Sequence, residues 1–122
     1  MKDELTLSER IASGDISQEV VEAVAVALGW ERAIEPDEIV CALEGWKRSN
    51  VFVNACPNYL TDIRLTLDEI ERRGWLSMHD TLAKGCLFMV GSQDALVHGR
   101  EQRPDRNLAL AAITALLRAL GE

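Results

Sequence analysis

The segment His98-Gly99-Arg100-Glu101-Gln102-Arg103-Pro104-Asp105-Arg106 is where this chain comes closest to a binding chemistry. Its three arginines recur at every third position, where a strand hands over to a helix. A guanidinium grips a phosphate or carboxylate through paired N–H donors, and the open amides of a helix N-terminus favour the same charge. His98, Arg100, Arg103 and Arg106 are therefore candidate contacts for a small anion, a nucleotide or a partner. The same segment also reads as a solvated loop whose arginines pair with Glu101, Asp105 and the acidic N-terminal half, in contacts that are individually weak.

Other chemistries find less to build on. His79 stands beside Asp80, but no Gly-x-Ser-x-Gly elbow offers a nucleophile, so His79 reads as a strand-end surface residue. The eight glycines are spread singly, which excludes a phosphate-binding loop. Cys41, Cys56 and Cys86 are scattered among apolar neighbours and read as buried free thiols; neither His79 nor His98 lies at a zinc-like interval from them. No catalytic residue, cofactor site or metal site is assigned, and an enzyme is not expected.

The elements that would position these residues follow from periodicity and punctuation. A short helix over about 7–12 precedes Gly14. Asp15, with Gln18 three residues on, then caps a second helix whose Ile16, Val20, Val24 and Leu28 recur at helical spacing up to Gly29. A helix beginning at Pro36 is predicted to turn Ile39, Val40 and Leu43 inward, with Glu35, Asp37 and Glu38 at its positive end. Residues 47–57 read as a loop holding a possible short strand, 51–53. A further helix over about 61–73 carries Ile63, Leu67 and Ile70 inward and Asp68, Glu69, Glu71 and Arg72 outward. Each tryptophan follows a glycine stop, at Gly29-Trp30, Gly45-Trp46 and Gly74-Trp75, and reads as a helix-end anchor; a three-tryptophan ligand cage is the sharper alternative.

The second half reads as a three-stranded antiparallel meander over 75–80, 86–90 and 95–100, followed by a long C-terminal helix over about 106–120 opened by Pro104 or Asp105. That helix is apolar on almost every side and rich in alanine, which predicts burial on more than one face or a homodimer formed through it. N-terminal helices, a meander and a closing helix make a single α+β domain over residues 1–122.

Charge separates the halves. The chain has 122 residues and a formal net charge of −7; residues 1–61 hold five basic and eleven acidic residues, and 62–122 hold eight and nine. Glu19, Glu22, Glu31, Glu35, Asp37 and Glu38 form a candidate acidic partner surface, attractive to a basic protein groove and repellent to DNA itself. The apolar residues, 48% of the chain, come in short runs such as 108–113, so no membrane span is predicted. No secretory leader is read in the alternating first ten residues, and a cytoplasmic location is expected.

The order of the pieces adds a resemblance. A helix ending Val24-Ala25-Val26-Ala27-Leu28-Gly29-Trp30, a helix start at Tyr59-Leu60-Thr61-Asp62-Ile63, and a last helix opening Asn107-Leu108-Ala109-Leu110-Ala111-Ala112-Ile113 resemble the small phage and prophage proteins called phage ABA sandwich domains. The resemblance implies a helix/sheet/helix sandwich encoded by a phage or mobile element, and it carries no catalytic residues. The expectation is a cytoplasmic accessory protein that docks on a host protein and inhibits a defence system, as an anti-CRISPR does. The alternatives are an anion or nucleotide binder using the arginines of 98–106, and a virion structural or assembly component.

Overall fold

The computed structural model describes residues 5–92, 94 and 97–122. Helix α1 spans Leu7–Ala12, and Thr6 begins it with a reciprocal capping box: its hydroxyl accepts from the Glu9 amide while the Glu9 carboxylate accepts from the Thr6 amide. Helix α2 spans Gln18–Ala27. Ser17, not Asp15, occupies its cap position, because the Asp15 carboxylate is taken by the Arg10 fork at 2.9 and 3.1 Å and by the Ser17 hydroxyl at 2.8 Å. Val20, Val21, Val24 and Leu28 are buried as their spacing predicts, whereas Ile16 precedes the helix and is exposed. Gly29 takes φ +99°, and the Trp30 amide reaches back to the Ala25 carbonyl at 3.0 Å, so Trp30 does anchor this helix end.

The helix expected at Pro36 does not form. Strands β1 (Glu31–Asp37), β2 (Cys41–Arg48) and β3 (Val51–Val53) build an antiparallel sheet in that order. Asp37 closes the hairpin by accepting from the Ile39 and Val40 amides at 3.0 and 2.9 Å, so a carboxylate read as a helix-end charge is the lock of a turn. Ile39 and Val40 consequently point into solvent. Pro36 is accommodated because β1 is an edge strand. Cys41, directly after the turn at φ +69°, is exposed; Cys56 is half-buried and Cys86 buried. Trp46 is buried inside β2 and terminates no helix, and Lys47 and Arg48 complete that strand instead of opening a loop.

Helix α3 (Ile63–Arg72) starts at Asp62, whose carboxylate accepts from the Arg64 amide. It is rotated relative to expectation: Thr66, Glu69 and Ile70 face inward and Leu67 is 37% exposed. Glu69 is drawn in because it meets Arg48 across the boundary with the first sheet. Gly74 at φ +71° and the Trp75 amide bonded to the Ile70 carbonyl end this helix as the sequence predicts.

The second sheet is the expected meander, β4 (Leu76–Leu82), β5 (Gly85–Gly91) and β6 (Gly99–Arg103), in antiparallel order. Its third strand begins later than predicted. Ala95 and Leu96 lie outside the described residues, and Val97 and His98 precede the strand. Arg100 and Arg103 therefore sit within a strand rather than in a loop. His79 is in the middle of β4, opposite Phe88, and not at a strand end.

Helix α4 (Leu108–Ala119) is capped by Asn107; Arg106, at φ +59°, stands outside it. Every residue of 110–117 is buried, between β5 and β6 on one side and α1 and α3 on the others. The helix finds its cover within the chain, so no second copy is needed to bury it. Gly99 is what lets it lie so near the sheet, since a Cβ there would be 2.7 Å from the Ala119 amide nitrogen. The architecture is α+β, and one buried cluster runs from Ile11 through Trp30, Trp46 and Phe88 to Leu117.

Candidate functional site

The arginine segment separates its residues. Alternation along β6 turns Arg103 toward α4, where its side chain is only 12% exposed. Its Nε and Nη2 clasp Asp105 at 3.1 and 2.9 Å, and Nη1 lies 3.9 Å from Glu101. Asp105 is held down to about pKa 2, first by that guanidinium and then by the Asn107 amide, while Arg103 is raised by the same carboxylate. Arg118 on α4 donates to Glu101 at 2.6 Å and to the Arg100 carbonyl at 2.7 Å. Arg106 donates to the Ala83 carbonyl at 2.9 Å. His98 bonds the Ser92 hydroxyl at 3.1 Å, its ring 5.2 Å from that of Trp75. At the start of α4, Asn107 accepts from the Leu110 amide and Asp105 from the Asn107 amide. The segment works as a seam between the sheet and α4, and Arg100 alone of its arginines presents an exposed side chain on the opposite face.

The acidic residues are spread from α2 to the far end of the β1–β2 hairpin. Glu22 on α2 pairs with Arg32 on β1 at 2.9 Å, which sets the helix beside the root of the hairpin. Glu19 lies 3.7 Å from Arg10, and Glu35 lies 3.6 Å from Lys47. Glu31 and Glu38 are exposed, and Asp37 holds the turn. Glu44, opposite Ile34 on β2, belongs to this group, and the sequence reading missed it because it placed no strand there. Residues 34–45 thus carry Glu35, Asp37, Glu38 and Glu44 and no Lys, Arg or His. Within the same stretch Ile34 is 68% and Ile39 89% exposed. An open cleft of about 620 Å³ runs across the sheet between Arg32, Ile34, Glu44, Trp46 and Asn54. The sequence carries no period-two hydropathy signal for this hairpin: Glu35 and Asp37 take the half-buried side of β1 with Ala33, while Ile34 takes the exposed side with Arg32 and Pro36.

A buried ionic cluster secures the root of the hairpin. Glu69, 2% exposed, receives Arg48 in a close ion pair and Arg72 at 2.8 Å, with Arg73 at 3.8 Å. The Arg48 guanidinium also lies 4.7 Å from the Trp30 ring centre, and the Trp30 indole donates to the Tyr59 hydroxyl at 2.9 Å. Burial raises the Tyr59 pKa. The tryptophans do not share a cage: Trp30 packs with Arg48 and Tyr59, Trp46 with Arg32, and Trp75 with Arg73 and His98.

Among the described residues no three His, Cys, Asp or Glu side chains converge as a metal set, and no helix is long and apolar enough to cross a membrane. Compared with protein-family models, curated proteins and solved structures, the chain matches none.

Proposed function

We propose that the chain acts by docking rather than catalysis, as a small phage or prophage accessory protein that occupies a basic groove on a host defence protein in the manner of an anti-CRISPR inhibitor. The observation that carries this reading is the outer half of the β1–β2 hairpin, where Ile34, Ile39 and Val40 are exposed and residues 34–45 hold four carboxylates and no basic residue, with Lys47 pairing to Glu35 from beyond the segment and Asp37 holding the turn. An apolar tip rimmed by negative charge suits a recessed, positively charged surface of the kind that holds nucleic acid. Burial of the tip supplies affinity, and the carboxylates supply steering and register. DNA itself is repelled. The phage origin rests on the resemblance of the sequence, and it places the action in the cytoplasm of a bacterial host.

The test is a displacement assay in which the purified protein is titrated into complexes of purified nucleic-acid-binding defence effectors with a labelled oligonucleotide. Release of the oligonucleotide, weakened by added salt and lost in Ile39→Asp, is the expected result. Retention of the oligonucleotide by every effector, with no complex detected by light scattering, would overturn the reading.

A further inference from the structure

The second sheet has two unlike faces. Cys86, Phe88 and Val90 turn toward α4, so alternation turns Leu87 and Met89 the other way. Pairing places Met78 and Arg100 on either side of Met89, and Asp80 beside Leu87, on that outer face. Leu76 and Met78 are 57% and 63% exposed there, and with Met89 they line a groove of about 90 Å³. The sheet's two edge strands carry opposite charges on this face, Asp80 on β4 and Arg100 on β6. Neither side chain is in an ion pair with another described residue.

We propose that this outer face is a homodimer interface, in which a second copy stacks across it about a two-fold axis running along β5. Such an axis lays β4 of each copy over β6 of the other, so an acid on one edge and a base on the opposite edge become two equivalent Asp80–Arg100 pairs. The two residues are offset by one step along the sheet face, about 7 Å, a gap that the long arginine side chain spans. Between the pairs Met78, Leu87 and Met89 of both copies interdigitate, with the flexible methionines filling the groove.

Charge selects a second copy as the occupant. Two chains of net charge −7 repel most strongly through their acidic first halves, whereas residues 62–122, which supply this sheet, hold eight basic and nine acidic residues. A strongly basic partner fits the hairpin, and a face with one carboxylate and one guanidinium at opposite edges fits its own symmetry mate. The interface lies on a different sheet from the hairpin tip, so it stands or falls independently of the docking function.

Sedimentation equilibrium of the full chain over about 1–500 μM tests the proposal. A dimer mass is expected in the upper part of that range. Asp80→Arg and Arg100→Asp should each weaken association about tenfold, the double exchange Asp80→Arg/Arg100→Asp should restore it, and Met78→Glu should abolish it. Unchanged thermal melts would show that the variants fold. A monomer across the whole range, a dimer indifferent to these substitutions, or a double exchange that fails to restore association would overturn the proposal.

Discussion

Gly99 of β6 lies directly beneath Ala115 of α4, so close that a Cβ on the glycine would run into the Ala115 carbonyl oxygen and stand 2.7 Å from the Ala119 amide nitrogen. Both atoms belong to helix backbone and neither can swing aside. Gly99→Ala should therefore cost about 3 kcal/mol of stability, at the upper end of overpacking. Urea unfolding measures this, with Gly14→Ala as the contrast: Gly14 has φ +102° and no atom within 4 Å of a built Cβ, so its cost of roughly 1 kcal/mol is conformational alone. Equal losses at the two sites would contradict the close approach.

Glu69→Gln removes the negative centre that Arg48, Arg72 and Arg73 share. With the Glu69 side chain 3% exposed and that of Arg48 21% exposed, the guanidinium left behind is poorly hydrated, and the loss should be about 3 kcal/mol. Arg48 ties β2 to α3 through Glu69 and to the end of α2 through the Leu28 carbonyl, to which it donates at 3.2 Å, so backbone amides of residues 46–53 should exchange faster in the variant. Protection unchanged over that stretch would remove the anchoring role.

Acid should weaken the seam between β6 and α4. The folded pKa of Asp105, about 2, lies below its unfolded value, so its pairing with Arg103 stabilises fully above the ordinary aspartate range and is lost as pH falls through about 2. Thr6 lowers the Glu9 pKa, Ser17 and Arg10 that of Asp15, and Arg32 that of Glu22, so these groups add losses of the same sign. Urea midpoints measured from pH 5 to pH 2 should fall less steeply for Asp105→Asn than for the parent chain. Parallel profiles would show that the pair contributes nothing.

At the hairpin tip, function and stability should part. Ile39 is 89% exposed, so Ile39→Ser should leave stability within about 0.5 kcal/mol of the parent while reducing oligonucleotide displacement severalfold. A destabilised variant would mean that the tip packs on the body of the protein.

The same residues show where local pattern suffices and where it misleads. Val20, Val21 and Val24 are buried on α2 because one helical stripe needs only a single apolar neighbour, and their spacing states that need. The Gly29-Trp30 and Gly74-Trp75 stops are legible because a left-handed glycine is a local requirement. The stretch from Glu31 to Arg48 does not read as a hairpin because Pro36, three carboxylates and paired isoleucine and valine fit a helix start as well as an edge strand and turn, whereas the short strand Val51–Val53 is anticipated. Only the cross-strand pairing of Ala33 with Gly45 and Arg32 with Trp46 decides between them.

By itself the sequence determined the α+β class, the first two helices, the meander and the closing helix, along with the division into an acidic and a near-neutral half. Each is expressed by neighbours within a few residues, and local periodicity, glycine stops and composition record them. Tertiary structure alone decided that α4 is covered inside one chain, that Glu69 is an anchor rather than a surface charge, and that Arg103 is clasped while Arg100 faces outward. It also decided that the exposed acidic residues meet exposed isoleucines on a hairpin. Those outcomes depend on which distant groups arrive opposite each other, and burial, ion pairing and register are properties of such pairs that no single stretch of chain contains.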